Sequence, residues 1–188
     1  MPAAKDVHTA AGGRGTTGLI AVNKLHLRNY LEKVAQLRQS MAQPRDGWRY
    51  TSVEQYVIEN GRWWQNAPLP STVQRGRKKE CFFNAGNLAL NSGRLHPKLY
   101  RYIEGFAWMP ESIPVMHAWC VDRKGKVIDP TWDYHPNTVY FGVCFDADYL
   151  LDVISCTGNW GILGPDNPYI PLLRTGTRNV AWESITRP

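Results

Sequence analysis

Three side chains of types that cooperate on carbonyl groups stand in the order thiol, imidazole, carboxylate: Cys81, His117 and Asp129. The thiolate, not the thiol, attacks carbonyl carbon, so a reactive cysteine needs surroundings that lower its pKa from about 8.5. Two such influences suit Cys81: the exposed N–H groups in the first turn of a helix, and an imidazole alongside that takes the proton to form an ion pair. A carboxylate beyond the imidazole accepts its other N–H, fixes the tautomer and stabilises the imidazolium. Of the five histidines, His117 stands where this arrangement can form.

The elements that must position these groups follow from local patterns. His117-Ala118-Trp119-Cys120-Val121 reads as a strand, Asp122 to Gly125 as a turn, and Lys126-Val127-Ile128-Asp129 as a returning strand. If Gly125 takes the left-handed position of a loop Arg123-Lys124-Gly125, Trp119 faces Asp129 and His117 faces Thr131. His117 and Asp129 then share a face as diagonal neighbours, roughly 7 to 8 Å apart between backbones, which two polar side chains can span. An even-numbered loop would put them on opposite faces. Pro130 biases Asp129 toward extended geometry, which predicts a carboxylate on the strand rather than in a turn.

Cys81 opens a helical pattern in which Cys81, Ala85 and Leu88 share a face and Asn91-Ser92-Gly93 supplies the stop. Upstream, Leu27, Tyr30, Leu31, Val34 and Leu37 predict a helix over Leu25 to Met41, halted by Gln43-Pro44. A shorter helix is predicted over Val53 to Glu59, ending at Asn60-Gly61, followed by an irregular stretch from Trp63 to Lys79. Leu99 to Trp108, Val115 to Val121, Lys126 to Thr131 and Thr138 to Phe145 read as strands. Their connections are too short for crossover helices, so the pairing is expected to be antiparallel. A last short helix is predicted over Ala147 to Ile154, with irregular coil from Gly158 onward. Residues 1–22, which include a glycine-rich polar run, are expected to form a disordered arm, leaving 23–188 as one domain.

Four segments carry a resemblance. Cys81-Phe82-Phe83-Asn84-Ala85, Tyr102-Ile103-Glu104-Gly105-Phe106, His117-Ala118-Trp119-Cys120-Val121 and Asp129-Pro130-Thr131-Trp132 are similar to the transglutaminase-like core of the papain-like cysteine enzymes. The similarity spans residues 75 to 135, and its most specific part is the pairing of His-Ala-Trp with Asp-Pro-Thr. It implies an α+β papain-like (transglutaminase-like) fold, with N-terminal helices and the nucleophile helix packed on an antiparallel sheet. It also implies Cys81 as nucleophile, His117 as general base and Asp129 as the partner that orients the histidine. Glu80 before the nucleophile and Phe82 after it depart from the small residue or tryptophan usual there, which leaves the substrate class open. The implied reaction is acyl transfer through a thioester, ending on water in a protease or deamidase and on an amine in a transglutaminase or acyltransferase. Hydrolysis of a peptide or side-chain amide is the expected outcome, because no coenzyme A site and no calcium ligands are visible. Neither a metal nor an organic cofactor is required.

An oxyanion hole would take the Cys81 N–H as its first donor. Gln74, close to where papain-like enzymes often carry a side-chain amide, is the candidate second donor, ahead of Asn84. Trp119 and Trp132 are candidate walls of a substrate cleft. Cys120, Cys144 and Cys156 are assigned to packing, His135 to a surface loop and His96 to a linker beside Pro97. Singly, a cysteine packs as a small hydrophobe, a lone histidine sits satisfied in a core, and an aspartate before proline forms a turn. Only their joint occurrence carries the reading.

Composition bounds the alternatives. A chain of 188 residues with 43% apolar content can fill one core. The excess of 22 Lys and Arg over 16 Asp and Glu favours acidic partners, yet much of it sits in clusters such as Arg75 to Lys79 that a solvated loop explains. The expected partner is therefore a protein or peptide substrate, with segment 75–79 as the place an acidic partner would meet; charge alone does not identify a nucleic-acid protein, and nucleic acid is not an expected partner. The four cysteines hold no C-x-x-C pair, which disfavours zinc ribbons and disulfide staples. No apolar run reaches the roughly 20 residues of a membrane span and no signal-peptide centre is visible, so a cytoplasmic location is expected. The rival from another class is an inactive transglutaminase-like binding module, gripping an acidic protein or nucleic acid at the same cleft.

Overall fold

The computed structural model describes residues 13–41, 48–92, 99–164 and 171–176. Helix α1 (Gly13–Met41) buries Leu27 and Leu31 of the expected stripe, whereas Tyr30 and Leu37 are exposed. It starts well before the predicted Leu25, and this corrects the expected arm: residues 13–22 are helical, while 1–12 lie outside the described residues. The extension has partners, since Ile20 packs on the main core and the Asn23 side chain donates to the Asn137 carbonyl at 2.9 Å. Once a helix is nucleated, each further residue costs little. The expected stop at Gln43-Pro44 falls outside the described residues.

Helix α2 (Val53–Asn60) is capped by Ser52, whose side chain accepts from the Gln55 N–H at 3.1 Å, while the Gln55 amide oxygen accepts from the Thr51 N–H at 2.9 Å. Strand β1 (Arg62–Trp64) follows within what the sequence suggested was irregular. Helix α3 (Cys81–Ser92) begins at the cysteine, as its pattern predicts. Strands β2 (Arg101–Trp108), β3 (Val115–Val121), β4 (Val127–Ile128) and β5 (Val139–Phe145) come next, then α4 (Ala147–Thr157) and the short α5 (Pro171–Thr175). The last of these stands where irregular coil was expected.

The strands form one antiparallel sheet in the order β1-β5-β2-β3-β4. A bridge between Gln65 and Lys126 brings the two edges together, with the Val127 N–H donating to the Gln65 carbonyl at 2.8 Å. The sheet is therefore curled, and its faces bury two separate cores. Alternation along β3 sends Ala118 and Cys120 toward the helices and Trp119 and Val121 into the hollow of the curl, beside Trp64, Ile103, Val127 and Tyr140. Gly105 and Gly142 face each other across β2 and β5, and a Cβ on Gly142 would lie 2.7 Å from the Trp119 indole. The missing side chains let that ring lie across the inner face. Among the described residues, no helix is long and apolar enough to cross a membrane.

Candidate active site

The hairpin that carries two of the three groups has the predicted register. Cys120 pairs with Ile128 and Val121 with Val127, and Gly125 closes the loop at φ 76°. The Gly125 N–H donates to the Asp122 carbonyl at 3.0 Å, and the Asp122 N–H donates to the Lys126 carbonyl at 3.0 Å. His117 Nε2 and Asp129 Oδ2 lie 2.8 Å apart, both buried. Pairing ends at Ile128, so Asp129 is not on the strand as expected. Its other oxygen, Oδ1, accepts from the Thr131 N–H at 2.8 Å and the Trp132 N–H at 3.1 Å, which makes Asp129 the head of an Asx-type turn. Pro130 has no N–H to continue a ladder, and the carboxylate satisfies the next two amides. The Tyr140 hydroxyl donates to Oδ2 at 3.0 Å, so the carboxylate is held on four sides.

Electrostatics follow from this saturation. Burial would raise the Asp129 pKa, but the charge and hydrogen bond of His117 and the two turn amides outweigh it and hold the carboxyl below its ordinary value. For His117 burial works against the proton; Asp129 and then Cys81, each as charge and hydrogen-bond partner, prevail and raise the imidazole to about 9. The ring is packed as well as bonded: the Trp132 indole stacks on it at 4.3 Å between centroids. With Nε2 committed to Asp129, Nδ1 is left as the nitrogen that can serve the thiol.

Cys81 is half-buried at the head of α3, where the first N–H groups have no partner within the helix. Glu80 supplies the first helical acceptor, its carbonyl receiving the Asn84 N–H at 2.9 Å. The chain enters that turn through Lys79 at φ 67°, a left-handed conformation that side chains other than glycine adopt infrequently. Asn84 clasps this entry to the hairpin: its Nδ2 donates to the Arg77 carbonyl at 2.7 Å and to Thr131 Oγ1 at 3.0 Å. The Gly76 N–H donates to the Pro130 carbonyl at 2.8 Å, and Arg75 reaches the Trp132 carbonyl at 2.7 Å. The basic loop is thereby tied to the turn that carries Asp129.

Of the residues singled out from sequence, the structure brings Cys81, His117, Asp129 and Trp132 together. Gln74 is exposed and lines a cavity with Asn84 and Pro130 whose wall does not include Cys81. Trp119 is corrected: with 0% exposure it fills the hollow of the sheet and walls no cleft, because strand alternation turns it inward. Cys156 is exposed on α4 rather than packed, whereas Cys120 is buried with its Sγ 3.2 Å from the Ala85 carbonyl. His135 is an exposed loop residue, as expected, and His96 lies outside the described residues.

Two groups carried no sequence signal of their own. Tyr140 sits on β5 and reaches Asp129 only because the sheet curls. Glu104, fully buried on β2, accepts from the Ile162 N–H at 2.6 Å, the Leu163 N–H at 2.7 Å and the Tyr102 hydroxyl at 2.7 Å. Burial pushes its carboxyl up to about 7, against the three hydrogen bonds that favour the charged form. The segment it holds packs on α3: Trp160 meets Phe83 edge-on at 4.8 Å, and a Cβ on Gly161 would crowd the Gly164 backbone at 3.0 Å and the Phe82 ring at 3.2 Å.

Compared with protein-family models, curated proteins and solved structures, the chain matches none.

Proposed function

We propose that this protein is a cysteine-dependent acyl-transfer enzyme that hydrolyses a peptide or side-chain amide through a thioester, with a papain-like, transglutaminase-like arrangement of Cys81, His117 and Asp129. One observation carries the reading: a buried imidazole 2.8 Å from a saturated carboxylate has, as its other partner, a thiol at the head of a helix. A core histidine satisfied by structure alone has no need of a half-buried thiol on its free side.

In the proposed reaction the Cys81 sulfur adds to the carbonyl carbon. The first-turn N–H of Cys81 receives the developing oxyanion. The His117 imidazolium gives its proton to the leaving nitrogen as the C–N bond breaks, and a thioester remains. Water then attacks, His117 takes a proton from it, and the C–S bond breaks to release a carboxylic acid and the thiol. Asp129 stays ionised and holds the ring; Trp132, stacked on His117, limits its rotation and forms part of the cleft.

The test is alkylation of Cys81 by iodoacetamide near pH 6, read by mass spectrometry. Labelling faster than at Cys156, the exposed thiol on α4, and slowed roughly 10²-fold or more by His117→Ala, is the expected result. Equal rates at the two thiols would overturn the proposal.

A further inference from the structure

Residues 72–77 and one side of α3 enclose an open cavity of about 320 Å³ beside the proposed site. Helical spacing places three carboxamides, Asn84, Asn87 and Asn91, on the stripe that faces it. The Asn84 amide is consumed by Arg77 and Thr131. Asn91 Nδ2 donates to Asn87 Oδ1 at 2.9 Å, which occupies the Asn87 oxygen and leaves its amino group as a donor for an occupant. The exposed Gln74 amide and the Arg77 guanidinium add donors at the rim. Arg77 is 83% exposed, and Glu80 at 3.7 Å is a weak surface partner for it. The floor is apolar, made by Val73, Phe83 and Leu88, and no acidic side chain lines the cavity.

A lining of outward N–H groups and a cation over an apolar floor suits an occupant that accepts hydrogen bonds, carries negative charge and has an apolar part. We propose that this groove binds an acidic segment of a protein substrate, a stretch of Asp or Glu side chains on a peptide backbone. Its service to catalysis rests on the acyl-transfer reading; the binding itself does not. The wall is coupled to the triad, since the Gly76 N–H bonds the Pro130 carbonyl at 2.8 Å and Asn84 bonds Thr131, the two residues that follow Asp129. A segment seated here is held beside the first turn of α3. Nucleic acid fits this cavity less well, because phosphate binding draws on rows of cations, whereas of the basic loop only Arg75 and Arg77 line the cavity and Lys78 and Lys79 do not. Arg75 is already engaged by the Trp132 carbonyl at 2.7 Å and Asp133 at 3.2 Å, which leaves amides as the main donors.

The experiment is fluorescence anisotropy with a fluorescein-labelled Glu-rich octapeptide, its Gln-rich counterpart and a single-stranded oligonucleotide, on the full chain carrying Cys81→Ala to prevent turnover. The Glu-rich peptide is expected to bind most tightly. Asn87→Asp and Arg77→Glu should each weaken it about ten-fold or more, while Lys124→Glu, an exposed charge in the β3–β4 loop and outside the cavity lining, changes it less than about two-fold. Equal binding of the Gln-rich peptide or the oligonucleotide, indifference to Asn87→Asp and Arg77→Glu, or no saturable binding overturns the groove. The two proposals fail separately: an unreactive Cys81 with intact Glu-peptide binding ends the enzyme and spares the groove, and the opposite pair of results does the reverse.

Discussion

Burial alone would strip His117 of its proton; Asp129 and Cys81 outweigh that and raise it to about 9. In the proposed reaction the acylation step needs that proton for the leaving nitrogen, whereas alkylation of the thiolate does not. Turnover is therefore expected to fall as pH rises through about 9, while the iodoacetamide rate at Cys81 stays level or climbs; parallel pH profiles of the two reactions test this. Asp129→Asn keeps the shape of the turn but offers an amide where His117 needs an acceptor. Loss of the tautomer and of imidazolium support should lower turnover roughly 10²–10⁴-fold with little change in substrate affinity, a split that steady-state kinetics resolves. Asn84 shows how one residue type serves different ends: named from sequence as an oxyanion candidate, it is spent fastening the basic loop to the hairpin.

At the level of elements, the β3–β4 hairpin and α3 are the parts on which the candidate site depends. Gly125 at φ 76° sets the loop that puts His117 and Asp129 on one side. A Cβ there has space, with Trp64 no nearer than 3.9 Å, but the left-handed backbone costs about 1–2 kcal/mol. Gly125→Val should lower the unfolding free energy by that amount, seen as a lower midpoint of chemical denaturation with an unchanged denaturant slope. Glu104 joins β2 to the turn at Ile162 and Leu163 that flanks α3. Glu104→Ala leaves those amides without their acceptor, at about 1–3 kcal/mol for each buried group. Native-state hydrogen exchange is expected to speed at Ile162 and Leu163 first; unchanged protection there would show that the carboxylate does not hold the segment.

For the molecule as a whole, buried titrating groups make stability depend on pH. The folded pKa of His117 is raised from 6.5 to about 9, so its contribution is fully present below 6.5 and is lost as pH rises through about 9. Glu104 is raised from 4.5 to about 7 and acts in the same sense, its contribution being lost as pH rises through about 7. Asp129 is lowered, so its contribution is present above the ordinary 3.8 and is lost as pH falls through its folded value. Melting temperature should therefore decline from mildly acid pH to about 9, and His117→Ala should flatten the upper part of that decline. A melting temperature that climbs over this range would falsify the assignment of these charges.

Local patterns by themselves determined the start of α3 at Cys81, the strands around His117 and β5, and the register of the hairpin, because each depends on neighbours in the chain and on one glycine's backbone freedom. The upstream reach of α1, with Asn23 bonded to Asn137, was beyond such patterns, since its partners are distant. The same holds for the inward burial of Trp119, for Tyr140 at Asp129 and for the clasp of Glu104 on Ile162 and Leu163. The positions of Trp119 and Tyr140 follow from the curl of the sheet, which closes through Gln65 and Lys126, and the other two contacts from the packing of α1 and of the Ile162-Leu163 segment against it. Sequence periodicity records which face a residue takes, but the groups it meets there are chosen only when strands and helices pack.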